Sequence, residues 1–328
     1  MTELHPSATP ARWQILVALG AVYIVWGTTY LAIRFADETM PPLLMAGSRF
    51  LIAGAILYVW LRARGVARPT RVNWRAALIV GALLLMAGNG GVVWSEVYLP
   101  SSVVALLVGT VPLWMTILDW LRRGGARPGP AVIIGLLCGF AGVALLVAPT
   151  RMVGTSNLNA GVALVVLGAA VCWAAGSLYS RSGQLPASPL MGTAIEMLAG
   201  GALLVLLGSV LGEWSHVHVH AISTRSLLGF VYLIVFGSLV GFTAYIWILR
   251  HTSTAVASTY AYVNPVVAVF AGWAFAGEAV TSRTLLAAAV IVVGVVIITT
   301  FRGRARPQGR QVVQPDTARG AMIQTPTR

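Results

Sequence analysis

Long apolar stretches separated by short polar segments recur along the whole chain. Each is about 20 residues long, which is the length a helix needs to cross a hydrocarbon core of ~30 Å. Backbone groups in lipid have to be hydrogen-bonded within the segment, so these stretches predict helices; the alternating runs of a membrane barrel are absent. The predicted spans are Trp13–Ile33, Pro42–Leu61, Trp74–Val93, Ser102–Trp120, Pro130–Ala148, Asn159–Ser180, Pro189–Leu211, Ser226–Leu249, Thr254–Ala276 and Thr284–Phe301.

The two halves of the chain repeat one hydrophobic pattern. Trp26, Pro42 and Gly54 recur 147 residues later as Trp173, Pro189 and Gly201. A second stretch repeats at an offset of 153, so that Gly88, Trp94 and Pro112 recur as Gly241, Trp247 and Pro265. Because each half holds five spans, an odd number, the halves are expected to cross the membrane in opposite directions. The pattern therefore predicts an all-α integral membrane protein of ten helices, arranged as two inverted five-helix repeats around a central cavity.

The composition agrees with lipid as the main solvent. The chain is 58% hydrophobic and 9% charged, whereas soluble domains are roughly 45–50% apolar and about 25% charged. The organisation expected along the chain is a polar lead (1–12), a first repeat (13–148), a second repeat (159–301) and a tail (302–328). The tail is polar and basic, and it is expected to be disordered.

The net charge of +13 is distributed as a topology signal rather than as a nucleic-acid footprint. If the N-terminus is cytoplasmic, 11 arginines in cytoplasmic segments and six in the tail place 17 of the 22 basic residues on that side. The opposite loops hold Asp37, Glu38, Glu96, Glu213 and Glu278. This positive-inside asymmetry predicts cytoplasmic termini. The basic tail could also rest on anionic lipid.

Several kinds of chemistry are excluded by the residues themselves. All 22 basic residues are arginine, so neither a lysine-dependent phosphate loop nor a Schiff-base cofactor is possible. Cys138 and Cys172 lie within predicted spans and support neither a disulfide framework nor a cysteine metal site. The alternating histidines 216, 218 and 220 could hold zinc if the loop were extended, but an exposed loop explains them as well. No cofactor and no metal are expected.

Two prolines occupy equivalent repeat positions near the middle of their spans. Proline removes one helical hydrogen bond and clashes with the carbonyl four residues earlier. Pro112 and Pro265 therefore free backbone carbonyls at mid-depth, where irregular backbone is tolerated only against protein or a wet cavity. They are candidate hinges beside a solute path, or alternatively static kinks.

Arg49 and Glu196 form a second equivalent pair, each about 10 Å inside its span at 1.5 Å per residue. A charge at this depth costs at least ~2.5–3.5 kcal/mol and should face the protein interior. The two side chains could pair with each other, or each could sit by its own gate. Glu196 is the candidate protonation site, with a structural role as the alternative.

Other polar and aromatic residues at depth favour a central cavity for an amphipathic solute. Asn89 is the strongest single case, because its flanking glycines let a ligand or a backbone approach closely. For each of the others, ordinary packing is an equally good explanation. The candidate cavity residues are Trp26, Tyr30, Arg49, Asn89, Trp173, Ser177, Glu196, Tyr260 and Asn264.

Two segments resemble the repeats of a known family. "VYIVWGTTYLAIRFADETMPPLLMAGSRFLIAGAIL" and "STAVASTYAYVNPVVAVFAGWAFAGEAVT" are similar to the two EamA repeats of the drug/metabolite transporter superfamily, closest to its YedA-type subgroup. The resemblance implies ten helices, alternating access between the halves, and a bacterial inner-membrane location. It marks Trp26, Gly27, Arg49, Asn264, Pro265 and Glu278 as motif positions. Relatives of this kind mostly export amino acids, related metabolites or toxic organic cations.

The sequence thus favours a secondary transporter that exports a small amphipathic metabolite, such as an amino acid. Repeats inverted across a bilayer are the usual basis of alternating access. Because no nucleotide motif exists, an ion gradient, with protons as one candidate, or the gradient of the solute itself would drive the flux. A channel, a non-transporting sensor subunit and a membrane-embedded enzyme on lipid-linked substrates are the alternatives. The enzyme would need clustered carboxylates or histidines near one interface, which the sequence does not show.

Overall fold

The protein is described by a computed structural model that covers residues 11–122, 128–147, 159–252, 254–257 and 259–302. Within these ranges all regular secondary structure is helical. The main helices are α1 (Arg12–Ala36), α2 (Pro42–Ala63), α3 (Arg71–Glu96), α4 (Ser101–Leu121), α5 (Pro130–Val147), α6 (Ala160–Ser182), α7 (Pro189–Val210), α8 (Thr224–His251), α9 (Tyr260–Ala276) and α10 (Ser282–Arg302). Residues 1–10 of the predicted polar lead (1–12), the junction of the halves and residues 303–328 of the predicted tail (302–328) lie outside the described residues.

The helices have the length and composition of membrane spans. Among the described residues, seven helices are long and apolar enough to cross a bilayer, namely α1 to α4 and α6 to α8. Shorter apolar helices run over Pro130–Gly142, Val263–Ala276 and Ser282–Gly294. The predicted all-helical, multi-pass architecture is confirmed in these terms. The count of ten crossings in two inverted repeats stays a prediction.

Glycines let the two central helices, α2 and α7, touch through their backbones. A Cβ atom on Gly201 would lie 2.9 Å from both the carbonyl oxygen of Gly47 and the backbone nitrogen of Leu51. In α10, a Cβ on Gly294 would lie 2.6 Å from the backbone nitrogen of Gly139 in α5. Small residues at helix crossings are the usual means of close packing in lipid, where no hydrophobic effect draws helices together.

The contacts between the halves recur with the roles of the halves exchanged. Helix α1 packs against α8 and α9 of the second half, and its counterpart α6 packs against α3 and α4 of the first. Helix α2 packs on its own counterpart α7, and α5 packs on its counterpart α10. The cavity described below lies within this interface.

One end of the bundle collects carboxylates. The loops that follow α1 and α7 meet there, through the Arg225–Glu38 ion pair of 3.1 Å and the hydrogen bond of 3.2 Å from the backbone nitrogen of Ser223 to the hydroxyl of Thr39. Arg225 also donates to the carbonyl of Phe275 at the end of α9, at 3.5 Å. This end, which holds Asp37, Glu38, Glu213 and Glu278, is called the acidic end. The opposite end is called the basic end; there Asn73 donates to the carbonyl of Gln184 at 2.8 Å and Arg250 to that of Pro186 at 3.3 Å.

Candidate functional site: a central cavity

A cavity of about 610 Å³, including the part that opens to solvent, lies between helices of both halves. The lining residues are Trp26, Thr29, Tyr30, Ile33, Arg49, Phe50, Leu85, Asn89, Val92, Val108, Trp173, Gly237, Phe242, Tyr260 and Asn264. Apolar and aromatic side chains predominate, and a few polar groups interrupt them.

Most of the residues that the sequence nominates for a cavity come together here. Seven of the nine line it, namely Trp26, Tyr30, Arg49, Asn89, Trp173, Tyr260 and Asn264. Ser177 and Glu196 do not belong to the lining. The hydroxyl of Ser177 lies 2.7 Å from that of Tyr245, behind the cavity wall. Glu196 is 0% exposed, and Arg250, near the basic end, is the charged group that acts on it.

Arg49 places a cation in the cavity wall. Its side chain is 2% exposed, and its Nη2 donates to the Oδ1 atom of Asn89 at 2.5 Å. Its Nε atom has no hydrogen-bond partner among the described residues. Buried polar atoms in folded proteins are nearly always satisfied. The Nε atom of Arg49 therefore needs a water molecule or a ligand as its acceptor.

Arg49 and Glu196 do not form an ion pair. Among the described residues, no ion pair within 4 Å joins them. The charges that act on Arg49 are those of Asp37 and Glu96, both toward the acidic end, whereas Glu196 is influenced by Arg250. Of the two arrangements that the sequence leaves open, the structure therefore gives the one in which the charges lie apart.

Four aromatic side chains form a cluster at one side of the cavity. This aromatic cluster consists of Trp26, Trp173, Tyr245 and Tyr260, with ring centroids of contacting pairs 4.9–5.7 Å apart. The indole nitrogen of Trp26 donates to the carbonyl of Gly237 at 3.2 Å, and that of Trp173 donates to the hydroxyl of Tyr245 at 3.3 Å. Tyr245 and Tyr260 lie on the basic-end halves of α8 and α9. The cluster thus closes the cavity toward the basic end.

Carboxylates of the second half cap helices of the first half at the acidic end. Helices α2 and α4 both begin after a proline, Pro41 or Pro100, whose side chain makes no capping bond. Glu213 accepts instead from the backbone nitrogens of Leu43 and Leu44, at 3.2 and 2.8 Å. A carboxylate at a helix N-terminus satisfies orphan N–H groups and complements the helix dipole.

Glu278 caps the N-terminus of α4. It accepts from the backbone nitrogen and hydroxyl of Ser101, at 2.9 and 2.7 Å, and from the backbone nitrogen of Ser102 at 3.1 Å. Burial raises the pKa of the Glu278 carboxyl, but the hydrogen bonds from Ser102 and Ser101 outweigh burial and bring this pKa below its ordinary value. The two caps join the halves at the acidic end.

Replacing Glu278 by alanine is expected to lower the free energy of unfolding by about 1–2 kcal/mol, the usual cost of losing a helix cap. Because the folded-state pKa of Glu278 is depressed, its contribution is complete above the unfolded-state pKa and is lost as the pH falls through the folded-state value. The melting temperature measured at neutral and at acidic pH checks both points. Glu38→Ala is the control, since Glu38 pairs only at the surface with Arg225. An equal decrease in melting temperature in the two variants would contradict the capping role.

The two prolines are buried and face protein, but only one of them marks a break. Helix α4 is interrupted at Gly109–Thr110, two residues before Pro112, and Val108 lines the cavity. A Cβ atom on Gly109 would lie 3.1 Å from the carbonyl oxygen of Ala261 and 3.2 Å from the ring of Pro265. Pro265 itself lies inside the continuous helix α9. The chain is thus interrupted beside Pro112 and helical at Pro265, and the hinge role of both prolines stays a prediction.

Two π-helical segments border the cavity, and the sequence reasoning missed them. They span Gly81–Asn89 in α3 and Leu233–Phe242 in α8, which are equivalent positions of the repeat. Leu85 and Asn89 of the first, and Gly237 and Phe242 of the second, line the cavity. π-helical turns are rare and are frequent at functional sites. The repeated glycines Gly88 and Gly241 were the available signal.

The predicted zinc alternative finds no support in the geometry. Among the described residues, no three His, Cys, Asp or Glu side chains come together as a metal-binding group. The histidines at positions 216, 218 and 220 lie exposed in the loop before α8.

Comparisons with known proteins agree with a helical membrane protein that has a cavity between its two halves. A sequence model described as the EamA-like transporter family matches residues 12–148 and 160–300. An uncharacterized inner membrane transporter of Escherichia coli K12, YedA, is 39% identical over 303 residues, which cover 90% of this chain and 95% of the relative. The uncharacterized transporter YvbV of Bacillus subtilis is 28% identical over 86% of this chain and 90% of its own length. A solved crystal structure covers 90% of this chain and 99% of its own, with a TM-score of 0.64 at 22% identity, and shares the fold.

Proposed function

The chain belongs to the EamA-like transporter family, and we propose that it is a secondary transporter that exports small amphipathic metabolites, such as amino acids, by alternating access. The family and the relatives named as transporters indicate a multi-pass membrane transporter rather than an enzyme. The finer elements of the proposal are the solute class, the direction of flux, the ten-span inverted repeat, an inner-membrane location and cytoplasmic termini.

The exchange of roles between the halves supports alternating access. Helices α1 and α6 make corresponding contacts with the opposite half, and the cavity lies where these contacts meet. In inverted-repeat carriers, one repeat rocks against the other around a fixed midplane site. The aromatic cluster on the basic side and the two carboxylate caps on the acidic side are the contacts that would open in turn. Pro112, at the break of α4, and Pro265, against that break, are proposed to serve as the hinge.

The solute class is inferred from Arg49, which lies in a predominantly apolar cavity and whose Nε atom has no hydrogen-bond partner among the described residues. A guanidinium group binds carboxylates through paired, charge-assisted hydrogen bonds. In this proposal the solute carboxylate accepts from Arg49 beside Asn89. The apolar part of the solute lies against Trp26, Trp173 and Tyr260. The positive-inside asymmetry of the sequence supports an acidic end that faces outside the cell, and in this proposal the basic end is the entry side for export.

A thermal-shift screen of the purified protein against single amino acids and their amides tests this solute class. Binding to the folded state raises the melting temperature with ligand concentration. The proposal predicts that amphipathic amino acids such as leucine stabilise the protein and that leucinamide, which has no carboxylate, does not. Stabilisation by leucinamide alone would show that the cavity selects a cation instead.

A further inference from the structure

Two buried carboxyl groups near the acidic end have no role in the caps or in solute binding. Glu96 is the last residue of α3 and is 0% exposed, whereas the sequence suggests a loop position for it. Among the described residues, neither its oxygens nor those of Asp37 have a hydrogen-bond partner. An ionised carboxylate that is buried without partners costs several kcal/mol. Each group therefore needs a counter-charge or a proton.

The groups that face Glu96 come from every helix packed on this end of α3. Tyr30 and Arg34 of α1, Asp37 in the following loop, Arg49 of α2 and Glu278 after α9 act on it or are acted on by it. Arg34 is exposed and donates to the backbone carbonyl of Glu96 at 3.0 Å. The neighbouring stretches of α4 (Ser101–Val108) and α6 (160–167) contain no titratable residue. Asp37 is acted on by Arg49, Glu213 and Arg34.

The counter-charges do not suffice for two ionised carboxylates. Arg49 is the buried cation beside them, and among the described residues no ion pair within 4 Å joins it to either acid. Burial raises the pKa of Asp37; Arg49 and Arg34 lower it in part and Glu213 raises it, with the result well above the ordinary value. Two carboxyl groups that share one site do not both ionise readily, and they titrate as a pair.

We propose that Asp37 and Glu96 form a proton-binding site that is linked to the solute through their shared counter-charge, Arg49. This inference rests on the proposed binding of a solute carboxylate at Arg49. A carboxylate bound there neutralises the guanidinium, and the acid pair then takes up a proton from the side to which the cavity is open. By reciprocity, protonation of the pair frees Arg49 for the solute. Solute and proton therefore bind together and move in the same direction, so an inward proton gradient would not drive export and the gradient of the solute itself has to do so. Glu196, outside the cavity, is not the coupling group.

Infrared pH-difference spectra of the full-length protein in liposomes test the proton site without any solute. The C=O stretch of a protonated carboxylic acid is followed as the pH is lowered. The wild type is expected to show a band that is lost in Glu96→Gln and in Asp37→Asn. Glu196→Gln, which removes an equally buried glutamate, is expected to leave that band and its pH midpoint in place. If the Glu96→Gln protein does not fold, Glu96→Asp replaces it in this experiment, because it keeps a carboxyl group and changes only the position of that group.

Arg49→Gln mimics the neutralisation that a solute carboxylate would cause. The band of the acid pair is expected to appear at a pH at least about one unit higher, the typical effect of losing a nearby opposite charge. An unchanged midpoint, or a full wild-type band in both Glu96→Gln and Asp37→Asn, overturns the proposal. Because no solute is present, failure of the amino-acid screen would refute the proposed solute class and leave this result intact.

Discussion

Arg49→Gln is expected to weaken the binding of carboxylate-bearing solutes by roughly 30- to 150-fold. The substitution removes charge-assisted hydrogen bonding in a buried site, for which we take a net loss of about 2–3 kcal/mol, the upper part of the range for one hydrogen bond to a charged group. Its effect on the stability of the fold should be smaller than its effect on binding, because among the described residues the Arg49 side chain makes one side-chain hydrogen bond, to Asn89. The ligand concentration that gives half of the maximal thermal shift measures the change.

Two further variants separate charge from hydrogen-bond geometry at this position. Arg49→Lys keeps the cation but loses the paired donors, so it should fall between the wild type and Arg49→Gln. Arg181→Gln makes the same chemical change at an exposed arginine, the repeat counterpart of Arg34, and should bind as the wild type does. If Arg49→Gln binds leucine with wild-type affinity, the solute carboxylate does not lie at Arg49.

Gly201→Ala is expected to have the largest effect on stability, lowering it by about 1–3 kcal/mol, as overpacking of a core does. The new methyl group would lie 2.9 Å from the carbonyl oxygen of Gly47 and from the backbone nitrogen of Leu51. Both are backbone atoms, so no side-chain rotation relieves the contact, and α2 and α7 have to separate. The midpoint of thermal unfolding in detergent or lipid measures the loss.

Gly168→Ala is the matched control for this change. Gly168 lies in the middle of α6, and a Cβ atom there meets nothing within 4 Å. Alanine is a better helix former than glycine by roughly 0.5–1 kcal/mol, so this variant should be as stable as the wild type or slightly more so. A Gly201→Ala protein as stable as Gly168→Ala would show that the α2–α7 contact is not close-packed.

The helical framework could be predicted because lipid restricts the backbone so strongly. Apolar length indicated where α1 to α10 lie, and the repeat offsets indicated which helices are equivalent. Pro42 and Pro189 mark the starts of α2 and α7, since proline at the first helical position forfeits no hydrogen bond. Seven of the nine nominated residues line one cavity because polar side chains at depth have few other places to go. Their role in solute binding stays a prediction.

The remaining features depend on rotation about the helix axes and on contacts distant in sequence. Counting residues gives the depth of Glu196 but not the face of α7 on which it lies, and that face turns it away from the cavity. Glu96 was assigned to a loop because its span was expected to end at Val93, whereas α3 continues to Glu96. The π-helical turns of α3 and α8 shift every later side chain around the axis. A period of 3.6 residues does not anticipate that shift.

The central claim is that one cavity between the two halves serves both faces of the membrane in turn. Counterflow of labelled leucine in proteoliposomes tests it most directly. The account predicts that vesicles preloaded with unlabelled leucine transiently accumulate label above equilibrium, with saturable kinetics, and that Arg49→Gln abolishes the overshoot. Label that only equilibrates, with flux linear in leucine concentration, would indicate a channel and contradict the account.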